Sequence, residues 1–278
     1  MPIPSESDAP SRARLRVTQA RRDPLRIGCV KYLNARPLIH GWPGAVEFDH
    51  PANLCRKLRA AELDVAFVSS YEFLRDPVYN IVNGVAVGAD GPVYSVVLAH
   101  RRGIENIEEV AVDPASRTST NLLRCLLAED GLAPQFMTPA SDEQAIVTDT
   151  RARLLIGDQA ISFREEHSTD LQFRDLGSWW KGMTGLPFVF AIWLIRPEVA
   201  DATQIAARLR ELRDRNLRHL DEVIAAQGAF NPPFSERYFR ENLCFGFADR
   251  EQQGLLKFRS LCAKHAILQG NAPVLRLV

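Results

Sequence analysis

Four short runs rich in β-branched residues, LRIGCV, AVEFDH, DVAFVSS and YNIVNGVAV, succeed one another between Leu25 and Val87. Between the second and third lies PANLCRKLRAA (51–61), whose leucines recur four apart behind a proline that a first helical turn tolerates. Strand, helix and strand in this order need a crossover, so the chain opens as a βαβαβ unit of a parallel sheet. This alternation restricts the chain to an α/β architecture more than any other feature does.

A second series follows: VYSVVLAH (93–100), EVAVDP (109–114), the helical TNLLRCLLAEDG ending at Gly131, QFMTP, ARLLIGD (152–158) and LQFRDLG. FVFAIWLIRP (188–197) is the longest strand candidate, and the remainder reads as helix. From Asp201 a D-x-x-Q box with Gln204 starts a helical pattern whose stripe is Ile205, Leu209, Leu212, Leu220 and Val223. The expectation is two lobes, with the C-terminal helices packed on the first.

The polar residues are placed regularly. LRIGCV runs into Lys31–Asn34, DVAFV into Ser69 and Ser70, EVAVD into DPASRTST (113–120), and RLLIG into Asp158. Ligands of open α/β sheets bind outside the carboxyl ends of the strands, so these four clusters should converge on a cleft between the lobes. DPASRTST carries hydroxyls at Ser116, Thr118, Ser119 and Thr120 around Arg117, directly before a leucine-rich helix. One hydroxyl suffices to cap a helix, and helix N-termini attract carboxylates, so capping and anion binding are both open for this cluster. Ser69 and Ser70 admit the same two readings. Asp158 either caps the next helix or orients Asn34 or a water. Trp179 and Trp180 read as packing between lobes.

Charge and motifs exclude several classes. The 34 basic and 34 acidic side chains cancel and no basic stripe stands out, which argues against nucleic acid as a partner. Five cysteines without CxxC spacing and six scattered histidines speak for buried thiols and against a disulfide framework or a metal centre. No GxGxxG, GxxxxGK[ST] or GxSxG pattern occurs, and no cofactor is expected. The first 24 residues carry five arginines and no signal-like apolar run, so a disordered arm (1–24) and a cytoplasmic protein are expected. The apolar run LPFVFAIWLI (186–195) is too short to span a membrane.

Six fragments in order, YLNARPL, DVAFVSS, GPVYSVVL, DPASRTSTNLL, LLIGDQA and GLPFVFAIW, closely resemble the chorismate dehydratase family of the futalosine route to menaquinone. The resemblance covers residues 25 to about 265. It departs from the family's usual wording at Lys31 before YLN, at Tyr71 after the two serines, and in GADGPVYSV. It implies a two-lobed fold like that of the type II periplasmic solute-binding proteins, with lobe 1 from 25–93 plus 197–278 and lobe 2 from 94–196. It also implies a carbon–oxygen lyase (hydro-lyase) converting chorismate to 3-[(1-carboxyvinyl)oxy]benzoate and water.

Chorismate carries two carboxylates, a C4 hydroxyl and a vinylogously activated C3 hydrogen. Loss of that proton and of hydroxide aromatises the ring without a redox cofactor or a metal. Under this reading Thr118, Ser119 and Thr120 suit one carboxylate, Ser69, Ser70 and Ser95 the other or the C4 hydroxyl, and Asn34 orients the substrate, with Asp158 nearby. Tyr32 and Arg36 support the loop. The chief alternative is a cytoplasmic binding protein for a small aromatic or organic anion without catalysis, since every proposed contact serves binding equally well. The oligomeric state, homodimer included, is left open by the residues.

Overall fold

The computed structural model describes residues 24–278 other than Ala115, so the arm expected at 1–24 lies, but for Pro24, outside the described residues. Among the described residues, ten strands form two five-stranded sheets. They are β1 (Ile27–Val30), β2 (Val46–Asp49), β3 (Val65–Ser69), β4 (Asn80–Ala89), β5 (Val96–His100), β6 (Glu109–Ala111), β7 (Gln135–Met137), β8 (Arg151–Ile156), β9 (Gln172–Asp175) and β10 (Phe188–Ile195). The first sheet runs β2-β1-β3-β10-β4 and the second β7-β6-β8-β5-β9. Both follow one plan. A parallel trio, β2-β1-β3 or β7-β6-β8, is joined to its last strand through a single antiparallel strand that enters from the other lobe's side of the chain.

This plan corrects the expected division of the chain. A boundary at 196/197 assigns Phe188–Ile195 to lobe 2, but β10 pairs antiparallel with β3 and β4 in the first sheet. The second crossing therefore precedes β10, after the helix Leu176–Thr184. The opening unit is also only partly parallel: β1 pairs with β2 and β3 in parallel, whereas β4 is separated from β3 by β10.

Burial explains the strand patterns. The interior strands β1 and β3 are covered on both faces, so Ile27–Val30 and Val65–Val68 are buried without interruption, while the edge strand β2 is half-exposed. The helix Ala202–Arg218 lays Ile205, Leu209 and Leu212 inward and packs on β4 and on the short helix Arg36–Ile39 of the first lobe. Each such buried aliphatic side chain contributes roughly 2 kcal/mol relative to exposure. The stripe continues through Leu220 and Val223 in the next helix, Leu220–Gln227. Trp180 is fully buried against Phe188 and Phe258, which places it in the packing between the second-lobe helix and the returning C-terminal helix Asp249–Lys264. Four of the five cysteines are buried, as their apolar surroundings in the sequence suggest.

Candidate functional site

The carboxyl ends of the parallel strands β1, β3, β6 and β8 all release the chain toward the space between the sheets. A cleft lies there, walled by residues of both lobes. Its floor is apolar, from Val30, Val87, Val93, Val96, Ile156 and Phe190, and its polar groups come from Tyr32, Asn34, Ser69, Ser95, Ser116, Arg117, Thr118 and Ser119. The mixed lining suits a small molecule with a flat apolar body and polar ends.

Asn34 sits in the 3₁₀ turn Leu33–Ala35 that begins three residues after β1. Its side-chain Oδ1 is buried and has no hydrogen-bond partner among the described residues. A buried amide oxygen left unmatched costs free energy unless a ligand or water completes it, so this atom faces a role not filled by the protein itself. Tyr32, expected only to support the loop, is instead part of the wall, with its phenol pushed up to about 12 by burial and by the carboxylates of Asp113 and Asp158. Arg36 does support the loop. Its guanidinium donates to the Lys31 carbonyl at 3.0 Å and lies over the Phe48 ring.

The two serines after β3 part company. Ser69 reaches the cavity and shares a hydrogen bond with Thr118 across the lobes. Ser70, expected beside it, is fully buried and donates to the Val189 carbonyl at 2.7 Å. It anchors β10 to the start of the helix Ser70–Arg75 and does not line the cavity. At this turn from strand to helix the two successive side chains diverge, and of the pair it is Ser69 that meets the wall.

The helix after β6 begins at Arg117, so Thr118, Ser119 and Thr120 lie inside its first turn and not ahead of it. Ser116 occupies the N-cap position without a side-chain cap, leaving first-turn N–H groups without intrahelical partners at the cavity. Thr118 and Ser119 are on the wall; Thr120 is not. Thr118 Oγ1 also accepts from the Tyr71 backbone N–H at 3.2 Å, which makes this residue a junction between lobes. Arg117 is the one charged side chain on the wall among the described residues. Its Nη1 lies 3.8 Å from Glu72 Oε2, and the buried Glu72 carboxylate is held on its other oxygen by Arg59 and Arg75. Burial pushes the Glu72 carboxyl up, against the pull of Arg59 and Arg117.

Asp158 does not line the cavity. It lies in the first turn of the helix Gly157–Glu166, and its Oδ1 accepts from the Leu33 N–H at 2.9 Å, from the opposite lobe. The carboxylate thus holds the backbone of the turn that carries Asn34. Burial raises its pKa, with the Leu33 N–H, Arg36 and Lys31 opposing. Just before it, Gly157 takes φ +59°, and a Cβ there would sit 3.0 Å from the Tyr32 ring. Ser95, fully buried yet on the wall, completes the set. Sequence reasoning had no signal for Tyr238, which reaches Ser95 from the C-terminal helices.

A family model described as menaquinone biosynthesis matches residues 25–264. The chain belongs to this family. Curated relatives include chorismate dehydratase of Thermus thermophilus, 32% identical over 73% of this chain and 82% of that protein, and chorismate dehydratase of Campylobacter jejuni, 30% identical over 58% of each. Among solved structures, protein AF1704 of Archaeoglobus fulgidus superposes with a TM-score of 0.70 at 21% identity, covering 88% of this chain and 98% of that one. The alkanesulfonate-binding protein of Xanthomonas axonopodis superposes with a TM-score of 0.61 at 16% identity, covering 88% and 94%. The menaquinone-biosynthesis family member described here thus has the two-lobed periplasmic-binding-protein-like fold. None of its described helices is long and apolar enough to cross a membrane.

Proposed function

We propose that this chain is a chorismate dehydratase that eliminates water from chorismate to give 3-[(1-carboxyvinyl)oxy]benzoate. Family membership and the two curated relatives support the activity. The observation that carries the assignment to this cavity is the buried, unpartnered Oδ1 of Asn34, a residue that lines an apolar slot rimmed by hydroxyls, open helix N–H groups and a single guanidinium. Such a slot matches a flat ring bearing two carboxylates and a hydroxyl.

In this reading the ring lies against Val30, Val96, Ile156 and Phe190. One carboxylate takes the first-turn N–H groups and hydroxyls of Thr118 and Ser119 with Arg117, where helix and side-chain charge reinforce each other. Ser69 and Ser95 take the other carboxylate or the C4 hydroxyl. The C3–H bond breaks, its electron pair spreads toward the ring carboxylate, the C4–O bond breaks, and the departing hydroxide takes up the proton removed from C3 and leaves as water. No histidine or glutamate lies on the wall among the described residues. The enolpyruvyl carboxylate of the substrate itself serves as acceptor for the C3 proton, and Asn34 holds the substrate so that it can reach. Ser70, Thr120 and Asp158 act around the site and not on the substrate.

Incubation of the purified protein with chorismate, followed by chromatography, tests this. Appearance of the carboxyvinyloxybenzoate product at the rate chorismate disappears is expected. Chorismate recovered unchanged from a protein that binds it overturns the assignment in favour of a binding protein.

A further inference from the structure

We propose that Tyr238 is a positioning residue, holding the Ser95 hydroxyl so that its proton is directed into the cavity. This rests on the proposed reading in which Ser95 contacts the substrate. Tyr238 begins a π-helical turn, Tyr238–Asn242, in a part of the chain whose sequence pattern suggests only packing. Turns of this kind are uncommon and recur at functional sites. The phenol is 1% exposed and its Oη donates to Ser95 Oγ at 2.6 Å. The ring is fixed by stacking on Phe234, 5.8 Å between centroids and 10° between planes, and by a tilted contact with Phe239.

The chemistry follows from hydroxyl valence. Ser95 Oγ has one proton to give and two lone pairs to receive with. The phenol is the stronger acid of the two hydroxyls and has no other acceptor among the described residues, so it donates and Ser95 accepts. The Ser95 proton is then left for a second acceptor, and Ser95 is one of the residues that line the cavity. A carboxylate or hydroxyl oxygen of a ligand completes a relay in which each bond polarises the next. Burial also pushes the phenol pKa up, so the donor keeps its proton over the working pH range.

The backbone holds the other end of the arrangement. Tyr94, immediately before Ser95, takes φ +66°, a strained conformation for a residue with a side chain. Ser95 N–H donates to the Val93 carbonyl at 2.8 Å, and the Ser95 carbonyl accepts from Gly157 N–H at 2.8 Å. Asn242, at the far end of the π-turn, donates to the Pro92 carbonyl at 3.0 Å. The π-turn therefore grips the crossover between lobes at two points, once through backbone and once through the functional hydroxyl.

A double-mutant cycle on chorismate tests the inference, with Tyr238→Phe, Ser95→Ala and the pair, each also followed by thermal melting. Tyr238→Phe is expected to weaken substrate use about three- to tenfold, the worth of one neutral hydrogen bond, with a small change in melting temperature. That loss should vanish when Ser95 is already alanine. A loss that persists in the Ser95→Ala background overturns the positioning role, as does a silent Tyr238→Phe beside an impaired Ser95→Ala. A fully active Ser95→Ala instead removes Ser95 from the site and the inference with it. Asn242→Ala controls for loosening of the turn: a loss equal to that of Tyr238→Phe assigns the phenol to packing and overturns the proposal. Should the protein bind chorismate without converting it, the same cycle is read in Kd by calorimetry, where the same outcomes decide.

Discussion

The contact between Asp158 and the Leu33 N–H can be separated into its hydrogen-bonding and its charge components. Asp158→Ala leaves a part-buried backbone donor without an acceptor, at a cost of about 1–3 kcal/mol. Asp158→Asn keeps an oxygen at the same place, so the bond to Leu33 survives in neutral form. The charge itself works in the opposite sense. Because burial holds the folded pKa above the unfolded value, ionising the carboxylate destabilises the fold as pH rises from about 4 through the folded pKa, and the cost is constant above it. Asp158→Asn is therefore expected to equal or exceed the wild type in guanidinium unfolding at about pH 7.5, with the difference shrinking toward about pH 4.5. Asp158→Ala should be weaker at both pH values. It should also lower chorismate turnover, because Leu33 adjoins Asn34. If Asp158→Asn falls as far as Asp158→Ala at pH 7.5, the attraction of Arg36 and Lys31 for the carboxylate is what secures the turn, and the hydrogen-bond argument is refuted.

Thr118→Val keeps the shape of the side chain but leaves the Tyr71 N–H and the Ser69 hydroxyl without their shared partner, so a stability loss of about 1–3 kcal/mol is expected in denaturant titration. Gly157→Ala combines a left-handed backbone cost of roughly 1–2 kcal/mol with displacement of the Tyr32 ring. Calorimetry should show both a lower melting temperature and weaker chorismate binding, and weaker binding without destabilisation would contradict the backbone account. Asn34→Ala should lose turnover with the fold intact by circular dichroism. Asn34→Asp should do no better, since it sets an anion against an anionic substrate; recovery of rate in Asn34→Asp with a new carboxylate limb in the pH profile would place a base at this position.

The strands and their polar exits were legible because interior strands of a covered sheet are apolar throughout, and Ile27–Val30 and Val65–Val68 are of this kind. The convergence of Asn34, Ser69, Thr118 and Ser119 on one cavity follows from the common direction of the parallel strands, and Ser95 joins them from the start of the antiparallel β5. Side-chain direction within a cluster was not legible. Ser69 and Ser70 are adjacent, yet one meets the cavity and the other a backbone carbonyl. Thr118 and Ser119 lie ahead of the helical segment that the sequence marks from Thr120, yet with Thr120 they form its first turn, and a helical step of 100° decides which of them meets the wall. The partner of Asp158 lies 125 residues away on the other lobe, and β10 joins its sheet by pairing across the whole second lobe. Local patterns carry no record of such pairings. Tyr238 was hidden for a different reason, since an aromatic at helical spacing is indistinguishable from core until its hydroxyl's partner is known.

The place of β10 between β3 and β4 also sets an order of assembly. During synthesis the second sheet, contiguous in the chain, can be completed while the first still has a gap at its centre, since its missing strand leaves the ribosome only once residue 195 has been made. Until then β3 and β4 each present an open inner edge, the kind of surface on which other strands pair. The lobe that starts the chain is thus the one that finishes folding, and a chain interrupted before β10 carries its hazard in its N-terminal half, far from the break.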